Sequence, residues 1–488
     1  MIEPVFKSAV EQIAAMRKGD ISSTELLDCY LARVEKFNPG LNAIVQTCAE
    51  TARSRAGQAD EALSRGESWG PLHGLPITIK DTMEVVGMPC TSGSPALRDH
   101  MPGQNAEAVS AYINAGAVVF GKTNVPLYGG DIQTFNKVYG QTNNPWDPAR
   151  TPGGSSGGAA AALAAGLSSL DIGSDIGGSI RTPAHFCGIY GHKPSWGIVP
   201  QKGHIPPLPG IFTGEHTIAM DIMVVGPLAR SIDDIALAMD LLTAPEPADR
   251  RAWQIRLPEP RKQTLKELKI GLWQDDPVCP VDSTVGGVLQ DVVDRLAAKG
   301  AQIMDRRPNI DFAGSHDCFL SLLAAVIGTG TPDKHFNQWI EAAKGLSGDD
   351  RSYLARHLRG ATQRHRDWAH MNGYRQILRQ AWADFFREFD LLICPPAPLP
   401  AIAHDQQFVY ERLVSVNGEQ REYMDLMGWA GLIGVACLPA TVVPAGFTRE
   451  GLPVGIQVVG PYLEDRTPIH AAKLISDVIG GFLPPAGF

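Results

Sequence analysis

The chain has no surplus of basic charge, no paired-cysteine motif and no long uninterrupted apolar run. Its 43 lysines and arginines are outnumbered by 52 aspartates and glutamates, a net charge of −9. Nucleic acid, usually met by a basic face, is therefore not expected as a partner. The eight cysteines are Cys29, Cys48, Cys90, Cys187, Cys279, Cys318, Cys394 and Cys437, and none form a C-x-x-C pair. Their scatter through apolar segments reads as reduced, buried thiols. No run of about 18 apolar residues is free of charges or turn residues, so no membrane span is expected. The first residues, MIEPVFKSAVEQ, lack the charged and apolar regions of a signal peptide, and a cytoplasmic location is the expectation. No H-E-x-x-H motif and no Cys/His cluster with metal spacing occurs, so neither a metal nor another cofactor is expected. His365 and His370 fall off a common helical face and read as surface residues.

What is present is a globular composition. The 488 residues are 44% hydrophobic and 19% charged, with ample apolar material for a core. The 51 glycines and 37 prolines are dispersed, which reads as loops. A single domain over 1–488 is expected, and the oligomeric state stays open, with a homodimer as the alternative to a monomer.

The N-terminal stretch, 1–70, reads as helices. Ser22-Ser23-Thr24-Glu25 is a capping box ahead of Leu26, Leu27, Tyr30, Leu31, Val34 and Phe37, which fall at helical spacing. A further helix is expected over Glu50 to Arg65, closed by Gly66. Beyond that, strands alternate with helices. Strands are expected at Leu75–Ile79, Ala117–Phe120, Ser169–Ile172, Lys269–Leu272, Gln302–Met304, Leu391–Cys394, Ala440–Val443 and Val454–Val459. Helices are expected near Glu107–Asn114, Gly157–Ala165, Thr284–Ala298 and Pro468–Ile479. This pattern predicts an α/β fold, a mixed central sheet covered by helices on both faces. Residues 312–389 break the rhythm as an aromatic-bearing helical insert, expected to contribute to a substrate pocket.

Two motifs match a pattern in the wrong context. Gly116–Thr123, GAVVFGKT, fits the phosphate-loop spacing, but its middle residues are strand-like and Pro126 follows soon after. Gly153–Gly157, GGSSG, fits the nucleophile elbow of α/β-hydrolases, with Ser155 as nucleophile of an esterase. The turn-rich segment before it, TNNPWDPARTPGG, is not the buried strand that an elbow follows.

A third constellation carries chemistry. Two Gly/Ser turns, Gly153–Gly158 and Gly173–Ser179, are separated by a small-residue helix and a short strand. In the second turn, the amides of Ile176, Gly177, Gly178 and Ser179 form a candidate anion nest, with Ser179 at its edge as nucleophile. In acyl transfer that anion is the oxyanion of the tetrahedral intermediate. A serine nucleophile needs a base, and a lysine serves when burial keeps it neutral. Lys80, ending an apolar strand and followed by Asp81, is the candidate; from spacing alone, a strand-end surface lysine is the competing reading.

The chain resembles the amidase signature family. The matching segments are GLPITIKD (Gly74–Asp81), FGKTNVP (Phe120–Pro126), YGQTNNPWDPARTPGGSSGG (Tyr139–Gly158) and DIGSDIGGSIRTPAHFCGIYGHKPS (Asp171–Ser195). LPATVVPAG (Leu438–Gly446) and GLPVGIQVVGP (Gly451–Pro461) match as well. The resemblance implies an amide hydrolase with a Ser-Ser-Lys triad: Lys80 as general base, Ser155 as the relay after a cis peptide bond, and Ser179 as nucleophile. Among the neighbours, Ser174 is a candidate supporting hydrogen-bond partner, and Asp175 with Arg181 a structural pair. Ser156 is read as a turn residue and Cys187 as core packing.

The family also includes the glutaminase subunit of tRNA-dependent amidotransferases, which usually carries an S-L-D-Q-x-G-P stretch. The corresponding segment here is AMDIMVVGP, Ala219–Pro227, which disfavours that role. The loop that lines the acyl channel in fatty-amide hydrolases falls near Gly129, Gly130 and Asp131. Two glycines there leave room beside Ser179, so bulky or aryl amides are the expected small-molecule substrates, with carbamates or esters as related candidates.

Overall fold

A computed structural model of the chain describes residues 3–209 and 219–488. Helices Ala9–Lys18, Ser23–Leu41 and Ala49–Ser64 open it. The capping box forms as read: Ser22 Oγ accepts from the Glu25 amide at 3.0 Å, and Glu25 Oε2 accepts from the Ser22 amide at 2.8 Å. Two N–H groups with no helical partner are thereby satisfied where the second helix begins. The expected run of helices over 1–70 is broken by strand β1 (Ile44–Thr47). A four-residue strand is stable only with a partner, and its partner is distant in sequence. β1 pairs antiparallel with β3 (Val118–Thr123), whose other side carries β2 (Pro76–Lys80) in parallel. The phosphate-loop pattern is thus strand β3, and Lys122 Nζ is buried against Asp81 at 3.3 Å and the Met83 carbonyl at 2.6 Å.

The main sheet has eight strands: β4 (Leu170–Asp175), β5 (Tyr190–Lys193), β6 (Val224–Ala229), β7 (Lys269–Leu272), β8 (Gln302–Asp305), β9 (Leu391–Cys394), β10 (Ala440–Phe447) and β11 (Pro453–Val459). Their order is β8-β7-β9-β11-β10-β5-β6-β4. β7 runs parallel to β8 and β9, and all other neighbours are antiparallel, so the sheet is mixed as expected.

Both faces are covered. Along β10, Val442 enters a small cluster with helices Gly157–Ala164 and Arg181–Cys187. Val443 and Ala445 turn into the main core, which includes residues of helices Ile232–Leu242, Ser283–Ala298 and Arg466–Ile479. Adjacent side chains on a strand point to opposite faces, which gives the α/β layering. The main core is continuous from Val5 to Ile475. Helix Gly157–Ala164 is buried on every side. Its glycines and alanines allow this: a Cβ on Gly158 would sit 2.6 Å from the Asn124 carbonyl oxygen.

Residues 312–389 form helices Phe312–Thr329, Asp333–Lys344, Tyr353–Ala361 and His365–Glu388. The first of these is long and apolar enough to cross a bilayer, but it lies 56% buried inside the protein. Phe319, Leu322 and Leu323 on it join a second core with Ile132, Tyr423 and Met427. His365 and His370 are exposed.

The small sheet docks beside β4. The Thr78 hydroxyl donates to Asp171 Oδ2 at 2.6 Å, and the Thr78 amide donates to Ser168 Oγ at 3.1 Å. This contact brings the C-terminal end of β2, Lys80, to the C-terminal end of β4, Ser174 and Asp175.

Candidate active site

Lys80 leaves the end of β2 with no exposed surface. Its Nζ lies 2.7 Å from Ser155 Oγ, 2.9 Å from Ser156 Oγ and 3.0 Å from Ser174 Oγ. The competing surface reading of this lysine therefore falls. Burial removes hydration from the ammonium and lowers the Lys80 pKa to about 7, although the Asp175 and Asp171 carboxylates pull the other way. A buried amine near neutrality, surrounded by three hydroxyls, has the state a general base requires.

Ser155 follows a cis Gly154–Ser155 peptide and is 2% exposed. The approach to it, 146–156, contains no strand, and among the described residues its hydroxyl meets Lys80 and no histidine. The α/β-hydrolase elbow reading fails on both counts. The two Gly/Ser turns are in contact, since the Ser156 amide donates to the Ser179 carbonyl at 3.1 Å. Ser179 is 9% exposed, and its hydroxyl has no hydrogen-bond partner among the described residues. Ser156, read from sequence as a turn residue only, also touches Lys80 directly.

The nest needs one correction. The Gly178 amide, expected among the oxyanion donors, donates instead to Asp175 Oδ1 at 2.9 Å. Asp175 also takes the Ile180 amide at 3.1 Å and the Arg181 amide at 3.3 Å on Oδ2. Arg181 closes the turn with Nε on Oδ2 at 3.0 Å and Nη2 on Oδ1 at 2.8 Å. Burial alone would raise the Asp175 pKa; the Arg181 guanidinium and the backbone donors hold it at about 2. The carboxylate thus organises the turn, and the amides of Ile176, Gly177 and Ser179 remain without partners among the described residues. Gly178, at φ +108°, supplies the reversal that aims them.

A Cβ on Gly129 would lie 3.3 Å from Ser155 Oγ, so this glycine flanks Ser155. Among the described residues Gly130 faces only the Leu127 carbonyl, and the Asp131 side chain is held by an ion pair and a hydrogen bond. Its carboxylate pairs with Arg412 Nη1 at 2.8 Å and accepts from the Tyr423 hydroxyl at 2.7 Å. On the other side of the nest, a Cβ on Gly177 would be 2.9 Å from Met427 Sδ and 3.6 Å from Phe319 Cζ. Sequence periodicity gives no sign of that approach. Cys187 packs in the small cluster and its Sγ donates to the Pro152 carbonyl. Cys29 and Cys48 are half-buried rather than buried.

One further group went unread in the sequence. His204 Nε2 lies 2.9 Å from Ser174 Oγ, and its Nδ1 lies 2.9 Å from the Pro206 carbonyl. No spacing or motif points to it, because it arrives from a loop after β5.

The profile of the family described as Amidase matches residues 25–468. The chain belongs to the amidase signature family. It is an amide-cleaving hydrolase. It is 32% identical over 98% of its length, and 87% of the relative, to an indoleacetamide hydrolase of Bradyrhizobium diazoefficiens. It is 31% identical over 94% of its length, and 93% of the relative, to one component of the glutamyl-tRNA(Gln) amidotransferase of a Synechococcus species. A bacterial aryl acylamidase of the same family superposes with a TM-score of 0.81 at 25% identity, covering 98% of this chain and 97% of that one. The amidase fold is thus shared across relatives that differ in substrate.

Proposed function

We propose that the enzyme hydrolyses small-molecule carboxylic amides through an acyl-enzyme on Ser179, with Ser155 as relay and Lys80 as base. The observation that carries this reading is the fully buried Lys80 amine in contact with Ser155, with its pKa lowered to about 7. Ser179 Oγ attacks the amide carbonyl carbon as its proton passes to Ser155, and the Ser155 proton passes to Lys80. The carbonyl oxygen becomes an anion facing the Ile176, Gly177 and Ser179 amides, where each donor is worth about 10²–10³ in rate. As the C–N bond breaks, Lys80 returns the proton through Ser155 to the leaving nitrogen. Water then attacks the ester by the same route and frees the acid.

Bulky or aryl amides are the substrate class we assign. Gly129 adds no side chain over Ser155, and Phe319 and Met427 form an apolar side of the nucleophile turn. The indoleacetamide hydrolase and aryl acylamidase among the relatives act on substrates of that kind by name, and carbamates or aryl esters are the related candidates. The eight unpaired thiols suit a reducing compartment, and we assign the enzyme to the cytoplasm as a single catalytic domain.

The test is a panel of aliphatic amides, anilides, indole-bearing amides, carbamates and esters, with wild type and Ser179→Ala. Activity confined to short aliphatic amides would overturn the substrate class. Full activity of Ser179→Ala would overturn the nucleophile. A second reading, the glutaminase subunit of an amidotransferase, draws on the relatives that belong to glutamyl-tRNA(Gln) amidotransferases. It predicts glutamine-dependent ammonia release that rises when partner subunits are co-expressed. The AMDIMVVGP segment at Ala219–Pro227 weighs against it.

A further inference from the structure

The proton pattern around Lys80 is fixed from outside the three residues just described. His204 Nδ1 lies 2.9 Å from the Pro206 carbonyl oxygen, which can only accept, so Nδ1 carries the proton. Nε2 is then an acceptor, and the neighbour 2.9 Å away that donates to it is the Ser174 hydroxyl. With its one proton spent on His204, Ser174 Oγ accepts from Lys80 at 3.0 Å. The Ser156 hydroxyl points its proton to the Ser174 carbonyl at 3.5 Å and accepts from Lys80 at 2.9 Å.

A neutral lysine has two N–H groups and one lone pair. Two of its three hydroxyl neighbours are already acceptors. The lone pair is left for the third, Ser155, at 2.7 Å. We propose that His204 is a positioning residue, which orients the Ser174 hydroxyl so that the lone pair of neutral Lys80 is reserved for the Ser155 proton. This rests on the Ser-Ser-Lys reading of the site.

The loop holding His204 is secured for the task. The Glu84 amide donates to the Gly203 carbonyl at 2.9 Å, and the Ile205 amide donates to the Thr82 carbonyl at 2.7 Å. His204 is thereby fastened to the turn that follows Lys80. Gly203, at φ +84°, packs so closely that a Cβ would lie 2.4 Å from Ala106 Cα. Burial lowers the imidazole pKa to about 4, although the hydrogen bond to the Pro206 carbonyl pulls the other way, so the ring is neutral. Among the described residues the carboxyl groups acting on Lys80 are Asp175 and Asp171.

The test compares wild type, His204→Leu, His204→Gln and Ser174→Ala on an amide substrate across pH, with thermal unfolding alongside. Leucine removes the acceptor and frees the Ser174 proton to compete with Ser155 for the lone pair. Its plateau kcat should fall at least about 10-fold at nearly unchanged KM, the scale of losing a hydrogen bond worth about 1.4 kcal/mol. The acid limb of its profile should stay or move to lower pH, because the ammonium form gains nothing. Glutamine restores an acceptor oxygen near the Nε2 position and should recover most of kcat. Ser174→Ala takes from Lys80 the acceptor that turns one N–H away from Ser155, so kcat should also fall, through the lost acceptor rather than a competing proton, and this is read if the leucine variant does not fold. Wild-type kcat in either His204→Leu or Ser174→Ala would overturn the proposal, as would a folded His204→Gln as impaired as leucine. If Ser179→Ala is inactive in the same assay, that failure leaves the triad standing.

Discussion

Asp175 and Arg181 meet side by side with no exposed surface on either, Nε on Oδ2 at 3.0 Å and Nη2 on Oδ1 at 2.8 Å. The same guanidinium donates through Nη1 to the Ala430 carbonyl at 2.9 Å and to Gln457 Oε1 at 2.8 Å. One ion pair therefore ties the Ser179 turn to β11 and to the helix carrying Ala430. Arg181→Ala should destabilise by about 3–5 kcal/mol, because the buried carboxylate loses its partner. Arg181→Lys should recover little, since an ammonium cannot reproduce the paired contact. Denaturant unfolding measures both, and near-wild-type stability of Arg181→Ala would contradict the assignment.

The charge state of Lys80 makes a prediction about activity. In the proposed role of base the amine acts only when neutral, so kcat/KM should rise with pH and reach half its plateau at about 7. A pH–rate profile with no ionisation in that region would contradict this.

It also makes a prediction about stability. In the unfolded chain Lys80 holds its proton up to about pH 10, whereas in the folded protein it releases it near about 7. Between those values the unfolded state binds more protons, so stability contributed by this group increases with pH. Lys80→Met removes the effect. Between about pH 7 and about pH 10 the urea midpoint of wild type should rise relative to that of Lys80→Met.

Gly129 and Gly130 should respond differently. Gly129 has φ +68°, and an added Cβ would press on Ser155 Oγ at 3.3 Å. Gly130 has φ −92°, and its added Cβ meets only the Leu127 carbonyl. Gly129→Ala should lower kcat by about 10-fold or more, a misplacement cost at the reacting groups. Gly130→Ala should stay within about threefold of wild type, within the scatter of a mild substitution. Equal effects on kcat would argue against a specific contact of Gly129 with Ser155.

Ser156→Ala tests a contact that spacing did not reveal. It takes one acceptor from Lys80 and leaves Ser155 in place. A kcat loss of about 10-fold with KM unchanged is expected, the scale of one net hydrogen bond.

Much of the sheet was legible because its strands are short apolar runs bounded by turn residues. Lys269–Leu272 and Leu391–Cys394 lie where the pattern puts them. β5, Tyr190–Lys193, was not legible, since Gly191, His192 and Lys193 look like a loop. In the fold His192 Nδ1 sits 2.9 Å from Thr441 Oγ1, and Lys193 Nζ donates to the Leu438 carbonyl at 2.8 Å. Partners so far along the chain satisfy polar groups that local pattern assigns to solvent. The placements of His204 and Asp131 escaped for the same reason, each being set by a partner on a separate segment. Lys80 and the two serine turns were legible through motif order. The diversion of the Gly178 amide to Asp175 was not, because it depends on how the turn folds back on the carboxylate.

Helix Gly157–Ala164 links the Ser155 turn to β4, and no residue of it reaches solvent. Its amide protons lie among buried neighbours on every side. They should exchange with deuterium only on global unfolding, so heat inactivation and loss of the fold would be one event. The Ser155 side of the site would then have no early-melting fringe along this helix.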